Sequence, residues 1–309
     1  MKHILFSPVY QERVWGGNNF ESKLGRSLPA SKVIGESWEI VDRPEAQSTT
    51  AAGKTIRELI TADPEGIMGA GWAAERRFPI LVKWLDCQEM LSLQVHPPAD
   101  IALSLNGEPK AESWYVAAAE PHATLIAGLK QGVTREDFEA GLKSNNLEPL
   151  VHTISVKAGE SIFIPSGRIH AIGGGNLILE IQQNSDTTYR VYDWGRIGLD
   201  GTPRELHIEQ SLQSFDFNDF EPNTLKTGNT SQVLAKSDVF DLNKVVRSAG
   251  QTLSFTVGQP RILSVVKGAL KLADGSELKS GDNALLPAKD TFDYQVTEDS
   301  ELLVTENFV

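Results

Sequence analysis

The stretch Gly159–His170, GESIFIPSGRIH, carries the reading of the whole chain. Gly159 stands at the turn into a strand, where a backbone with positive φ costs a glycine nothing. Ser161 to Ile164 is a short, mostly apolar run with strand character. Pro165 and Gly167 stop that strand in a tight turn, and His170 then points back inside. A glycine, five residues, a proline, a glycine and a histidine at these offsets suit a β-barrel with one imidazole turned inward. An imidazole held there needs a partner, because burying an unpaired polar group is costly.

Upstream, MLSLQVHP (90–97) alternates Leu91, Leu93 and Val95 on one face with Ser92, Gln94 and His96 on the other. Gln94 and His96 are two apart and leave the same face of the strand. The G-x5-P-x-G-x2-H spacing resembles the second sequence motif of the cupin barrels, whose histidine binds a metal. Where that motif closes with Asn, this chain has Gly174. The resemblance implies ligands upstream, and the chain offers Gln94, His96 and Glu112 to join His170. Two imidazoles, a carboxylate and an amide oxygen, with no thiolate, suit Zn²⁺ and also Mn²⁺, Fe²⁺ or Ni²⁺.

The chain has 309 residues, a length that fits two domains or one large all-β body. No apolar run approaches the roughly 20 residues that span a membrane, and the first residues show no secretory leader pattern. Cys87 is the one cysteine, which excludes an internal disulfide and points to the cytoplasm. A net charge of −12 argues against a broad nucleic-acid footprint. It leaves room for an anionic small molecule, which a few local arginines or lysines can hold.

Along the chain, short strands dominate. GESWEIV (35–41), RFPILVKWLD (77–86), AESWYVAAA (111–119) and ATLIAGL (123–129) read as strands, the last two as a hairpin around Glu120-Pro121-His122. TIRELITAD (55–63) reads as a helix stopped by Pro64. Thr134-x-x-Asp137 resembles a capping box and opens a helical insertion over 134–150. A second short helix is expected over 207–217. Residues 220–232, rich in Asn, Thr, Gly and Pro, read as a linker. Beyond it the G-x5-P spacing returns as Gly281 and Pro287, but Lys289 and Phe292 stand where the first copy has Gly167 and His170. The expected architecture is therefore mainly β: two cupin (jelly-roll) barrels with a few short helices. Residues 1–220 would form the metal-binding catalytic domain and 221–309 a barrel without metal ligands.

Four ordered motifs sharpen the resemblance: LQVHP, PKAESWY, FIPSGRIHAIG and EIQQNSDTTYRVYDWGR. With ERVWGG near the start and the metal-free repeat at the end, the chain is similar over its whole length to the type I mannose-6-phosphate isomerases, in their short bacterial form. One departure is HPPAD, where Pro98 replaces an acidic residue frequent in the family. The resemblance implies an aldose–ketose isomerase acting on a sugar phosphate through an enediol, with one zinc ion held by Gln94, His96, Glu112 and His170. It marks Arg190 and Lys110 as catalytic residues. Proton transfer between C1 and C2 needs an acid–base group, for which Lys110 and Glu180 are the candidates. Glu180 has an alternative role as a polar residue of the barrel wall. Arg13, Lys83, Arg168 and Ser92 are candidate phosphate contacts, and Trp15, Trp38, Trp114 and Tyr189 candidate sugar-stacking rings. A different metal-cupin enzyme, such as a dioxygenase, and a non-catalytic sugar-phosphate binder remain as alternatives. The sequence leaves the number of copies per assembly open.

Overall fold

The structure is a computed structural model and describes residues 2–308. It is mainly β with a few short helices. Two compact units are present: residues 1–10, 37–83 and 227–309 form one, and 11–36 with 84–226 form the other. The division differs from the expected break near residue 220. Segments from the first third of the chain group with the C-terminal strands because they bond to them. Ile4–Leu5 pairs antiparallel with Asn283–Leu286, and Ala288 and Lys289 donate backbone bonds to Ile67 and Gly66.

In the unit holding the C-terminus, one sheet runs Ile4–Leu5, Asn283–Leu286, Arg261–Lys271, Phe292–Glu306, Asp241–Arg247, Gln232–Lys236. Leu263, Val265, Leu270, Leu286, Tyr294 and Leu302 are among the residues of its buried core.

The other unit carries the expected site residues. One of its sheets orders Val151–Ser155, Thr124–Leu129, His170–Ile172, Leu93–Val95 and Tyr189–Tyr192. A second orders Leu225–Lys226, Glu160–Ile164, Glu112–Ala119 and Asn176–Gln183, followed by residues 84–87, 34–36 and 11–17. The pleat sends alternate residues to opposite faces. On one face of the first sheet, Leu125, Ala127 and Ile172 join a core with Trp114, Ile162 and Ile164 of the second. On the other face, Leu93, Val95, Ile126 and Ala171 join a separate core with Phe138 and Phe215.

Several expectations change in detail. Glu112–Ala119 and Thr124–Leu129 are not a hairpin; they belong to different sheets, and Glu120–Ala123 is a corner between them. Leu91 lies outside its strand, which begins at Leu93, and packs with the Trp114 core. Pro64 stops one helix and starts another, Pro64–Met68. The presumed linker contributes the strand Leu225–Lys226, paired with Glu160–Ser161. The helix Arg135–Ser144 starts as expected: Thr134 accepts from Asp137 N–H, and Asp137 accepts in return from Thr134 N–H. Gly159 and Gly167 have φ of 89° and 88°, the conformations their turns require.

Phe138 braces the outer face of the first sheet, with its ring 5.1 Å from that of Phe215. Phe138→Ala is expected to cost about 3–5 kcal/mol of unfolding free energy, measured by urea denaturation; a loss below about 1 kcal/mol would show that this packing does not brace the sheet.

Candidate metal centre and active site

Strand register brings the site together. His170 and Gln94 face each other across neighbouring strands, and Gln94 faces Arg190 on its other side. Residues directly opposite across antiparallel strands share a face, so His170, Gln94 and Arg190 form a row. His96, two residues from Gln94, shares that face. In the second sheet Glu112 is opposite Gln182, and Trp114 is opposite Glu180. Glu112, Trp114, Glu180 and Gln182 therefore share a face as well.

His96, Glu112 and His170 are fully buried, and their ligating atoms lie within 4.8 Å of one another. Among the described residues this is the one such group of histidine, cysteine and carboxylate side chains. His96 Nδ1 donates to Thr187 O and His170 Nδ1 to Arg168 O, each at 2.8 Å. Both protons are thereby fixed on Nδ1, so each Nε2 presents its lone pair to the cluster. These lone pairs face the glutamate, with His170 Nε2 3.4 Å from Oε1 and His96 Nε2 3.5 Å from Oε2. His170 Nε2 and Glu112 Oε1 have no hydrogen-bond partner. The indole of Trp114 stands edge-on to His170 at 5.4 Å.

Lys110 completes the cluster. Its Nζ is 2.7 Å from Glu112 Oε2 and 3.2 Å from His96 Nε2. Burial opposes the lysine's charge, but Glu112, Glu180 and Asp186 outweigh it and raise its pKa above the usual lysine value. Burial likewise opposes the Glu112 charge, and Lys110, His96 and His170 overcome it, holding the carboxyl well below its ordinary range. Burial, then Lys110, drives His96 down to about 3; burial also lowers His170. The resting cluster is thus a carboxylate between two neutral imidazoles, with an ammonium alongside. Deprotonated, preoriented and partly unpaired donors of this kind fit a divalent ion.

The remaining expected residues fall around this centre. Glu180 is buried and accepts from Trp114 Nε1 at 2.9 Å. Gln94 is half-buried in the row between His170 and Arg190. Arg190 makes no ion pair with Asp186 or Asp193. Its one side-chain bond runs from Nη1 to Glu205 O at 2.8 Å, and its Nε is buried without a partner. Asp193 instead forms a two-pronged pair with Arg204, at 2.7 and 2.5 Å. Arg168 is not free for a phosphate, being held by both oxygens of Asp219 at 2.7 and 2.8 Å. Arg13 is paired with Glu36 at 2.7 Å. Lys83 belongs to the other unit, over the ring of Trp38. Trp15, Trp114 and Tyr189 are buried, which suits packing better than stacking on a sugar.

Sequence reasoning missed Thr187, Arg204, Glu205 and His207, and weighed Asp193 only as an ion-pair partner of Arg190. Thr187 and Glu205 act through main-chain carbonyls, which leave no side-chain signature. The others are ordinary polar residues until the fold brings them beside Arg190 and its strand.

Fold and cluster together define a class: a mainly β protein whose strands bring together a buried His–Glu–His group that could hold a metal ion. Residues 4–116 match the family model of the phosphomannose isomerase type I catalytic domain. The probable mannose-6-phosphate isomerase GmuF of Bacillus subtilis is 35% identical over 304 residues, covering 93% of this chain and 94% of the relative. The mannose-6-phosphate isomerase of Streptococcus mutans is 36% identical over 289 residues, covering 89% of each. The crystal structure of the mannose 6-phosphate isomerase from Bacillus subtilis superposes with a TM-score of 0.87 at 30% identity, covering 99% of each chain. The chain belongs to the type I mannose-6-phosphate isomerase family.

Glu112→Gln removes the ionised donor while keeping its size. Metal affinity, titrated on stripped protein, is expected to fall by more than the roughly 10–100-fold that losing an outer-shell partner costs; unchanged affinity would remove Glu112 from the ligand set.

Proposed function

We propose that this protein interconverts mannose 6-phosphate and fructose 6-phosphate, using one zinc ion held by Gln94, His96, Glu112 and His170. The observation that carries this reading is the pair of imidazoles whose protons are fixed away from Glu112, leaving buried, unpaired donor atoms. Zinc would supply Lewis-acid polarisation of the sugar's C1 and C2 oxygens. The dry interior strengthens every charge placed near those oxygens.

Arg190 lies in register beside Gln94, with no ion pair to neutralise it. Its guanidinium suits the negative charge that develops on an enediol oxygen. Lys110, held as an ammonium by Glu112 and Glu180, suits proton donation or charge stabilisation rather than proton abstraction. That leaves Glu180 as the better candidate for moving the proton between C1 and C2. Residues 221–309, with the C-terminal repeat, would form a cupin-like barrel without metal ligands. The lone buried Cys87 fits a cytoplasmic enzyme.

The test is a coupled assay for fructose 6-phosphate on native, EDTA-stripped and zinc-reloaded protein. Activity is expected to vanish on stripping and to return with zinc; no activity in zinc-loaded samples would end the assignment. Arg190→Ala is expected to retain its metal while kcat falls about 10²–10³-fold, the scale of losing one oxyanion donor. Near-native turnover would take Arg190 out of the mechanism. Glu180→Gln is expected to bind metal normally but to stop exchange of the C2 hydrogen with solvent, followed by proton NMR in D₂O.

A further inference from the structure

Tyr189–Tyr192 is the last strand of its sheet: Leu93–Val95 pairs with one of its edges, and among the described residues no strand continues the sheet beyond the other. Backbone groups on such an edge need partners from elsewhere. At Arg190 one residue supplies both. The Arg190 N–H donates to His207 Nδ1 at 3.2 Å, and the His207 N–H donates to Arg190 O at 2.8 Å. Two residues earlier, Glu205 O accepts from Arg190 Nη1. The short segment Glu205–His207 therefore holds Arg190 at three points, through its main chain and its guanidinium. An imidazole nitrogen does here what a carbonyl does in a regular ladder.

The segment is itself anchored. His207 precedes the helix Ile208–Ser214, and His207 O accepts from Ser211 N–H at 2.9 Å and from Ser211 Oγ at 2.6 Å. The Tyr189 ring lies 6.0 Å from the imidazole.

The geometry points to His207 as a positioning residue for Arg190: its Nδ1 lone pair fixes the backbone from which the guanidinium reaches the site. This assignment rests on the isomerase reading above, in which Arg190 stabilises the developing charge. A guanidinium displaced by even an ångström stabilises that charge poorly, so the loss belongs in kcat rather than in KM.

The arrangement works only while His207 is neutral. Burial and Arg190 lower its pKa from 6.5, and Glu205 opposes them. At neutral pH Nδ1 is therefore an acceptor. On acidification it gains a proton, faces the Arg190 N–H donor to donor, and sets a second cation beside the guanidinium.

Two variants separate this role from bulk packing. Asn places an oxygen acceptor where histidine has Nδ1 and does not titrate, whereas Ala removes the acceptor. His207→Ala is expected to lower kcat about tenfold with KM nearly unchanged and full metal content. Hydrogen exchange at the Arg190 amide, resolved in metal-loaded protein, is expected to quicken about tenfold in the same variant. His207→Asn is expected to restore both, and to lack the acid-side fall in kcat expected of the wild type as His207 gains its proton. Unchanged amide exchange in His207→Ala overturns the proposal whatever the activity. So does quickened exchange with native kcat, or an Asn variant no better than Ala. If the wild type fails to turn over mannose 6-phosphate, the functional reading falls, while amide exchange still decides whether His207 holds Arg190.

Discussion

The chemistry of this molecule hangs on one buried carboxylate. Glu112 has no exposure to water, and an ionised carboxylate in that setting costs several kcal/mol unless it is paired. Lys110 supplies a direct partner at 2.7 Å, yet the ammonium engages only one of the two oxygens. The other faces His170 Nε2, which has no proton to give, because carbonyl Arg168 O has claimed the proton on Nδ1. His96 is tied by Thr187 O in the same way. Had either imidazole been free to turn, its N–H would have satisfied the glutamate and closed the site. The two carbonyls therefore keep the cluster short of one cation.

The second constraint is register. His170, Gln94 and Arg190 form a row because three strands pair directly opposite at those positions. A slip of one residue on the Gln94 strand would turn Gln94 and His96 outward and bring Leu93 and Val95 inward. Opposite apolar faces guard against this: Leu93 and Val95 are packed with Phe138 and Phe215, while Leu125 and Ile172 face the Trp114 core. Packing on both faces thus fixes which residues meet in the site.

Much of this was legible in the sequence. Period-two alternation put Gln94 and His96 on one face, and Gly159, Pro165 and Gly167 announced the turns that bring His170 inward. The capping residues Thr134 and Asp137 marked a helix start. What the sequence concealed was pairing at a distance. Glu112–Ala119 and Thr124–Leu129 look like a hairpin because a corner between two sheets and a tight hairpin turn use the same residue types. The grouping of residues 37–83 with the C-terminal strands left no local mark. In the site, Arg190 was readable as a residue but not as an unpaired one. Asp193, three residues on and just past the end of that strand, was a candidate partner, and only the fold commits it to Arg204.

A chain with net charge −12 is an unlikely-looking host for a dianionic sugar phosphate until local and global fields are separated. Surface carboxylates separated from a ligand by more than a Debye length, about 8 Å at physiological salt, are largely screened. Buried groups at the ligand are not. Around Glu112 the structure gathers Lys110, and beside Gln94 it sets Arg190, whose neighbours Arg196 and Arg204 share Asp193 between them. Cationic side chains thus outnumber carboxylates on the Arg190 side, and a bound divalent ion would add to that excess. Acidity over the surface favours solubility and discourages polyanions, while affinity for an anion is decided by which positive charges stay unpaired where water is excluded.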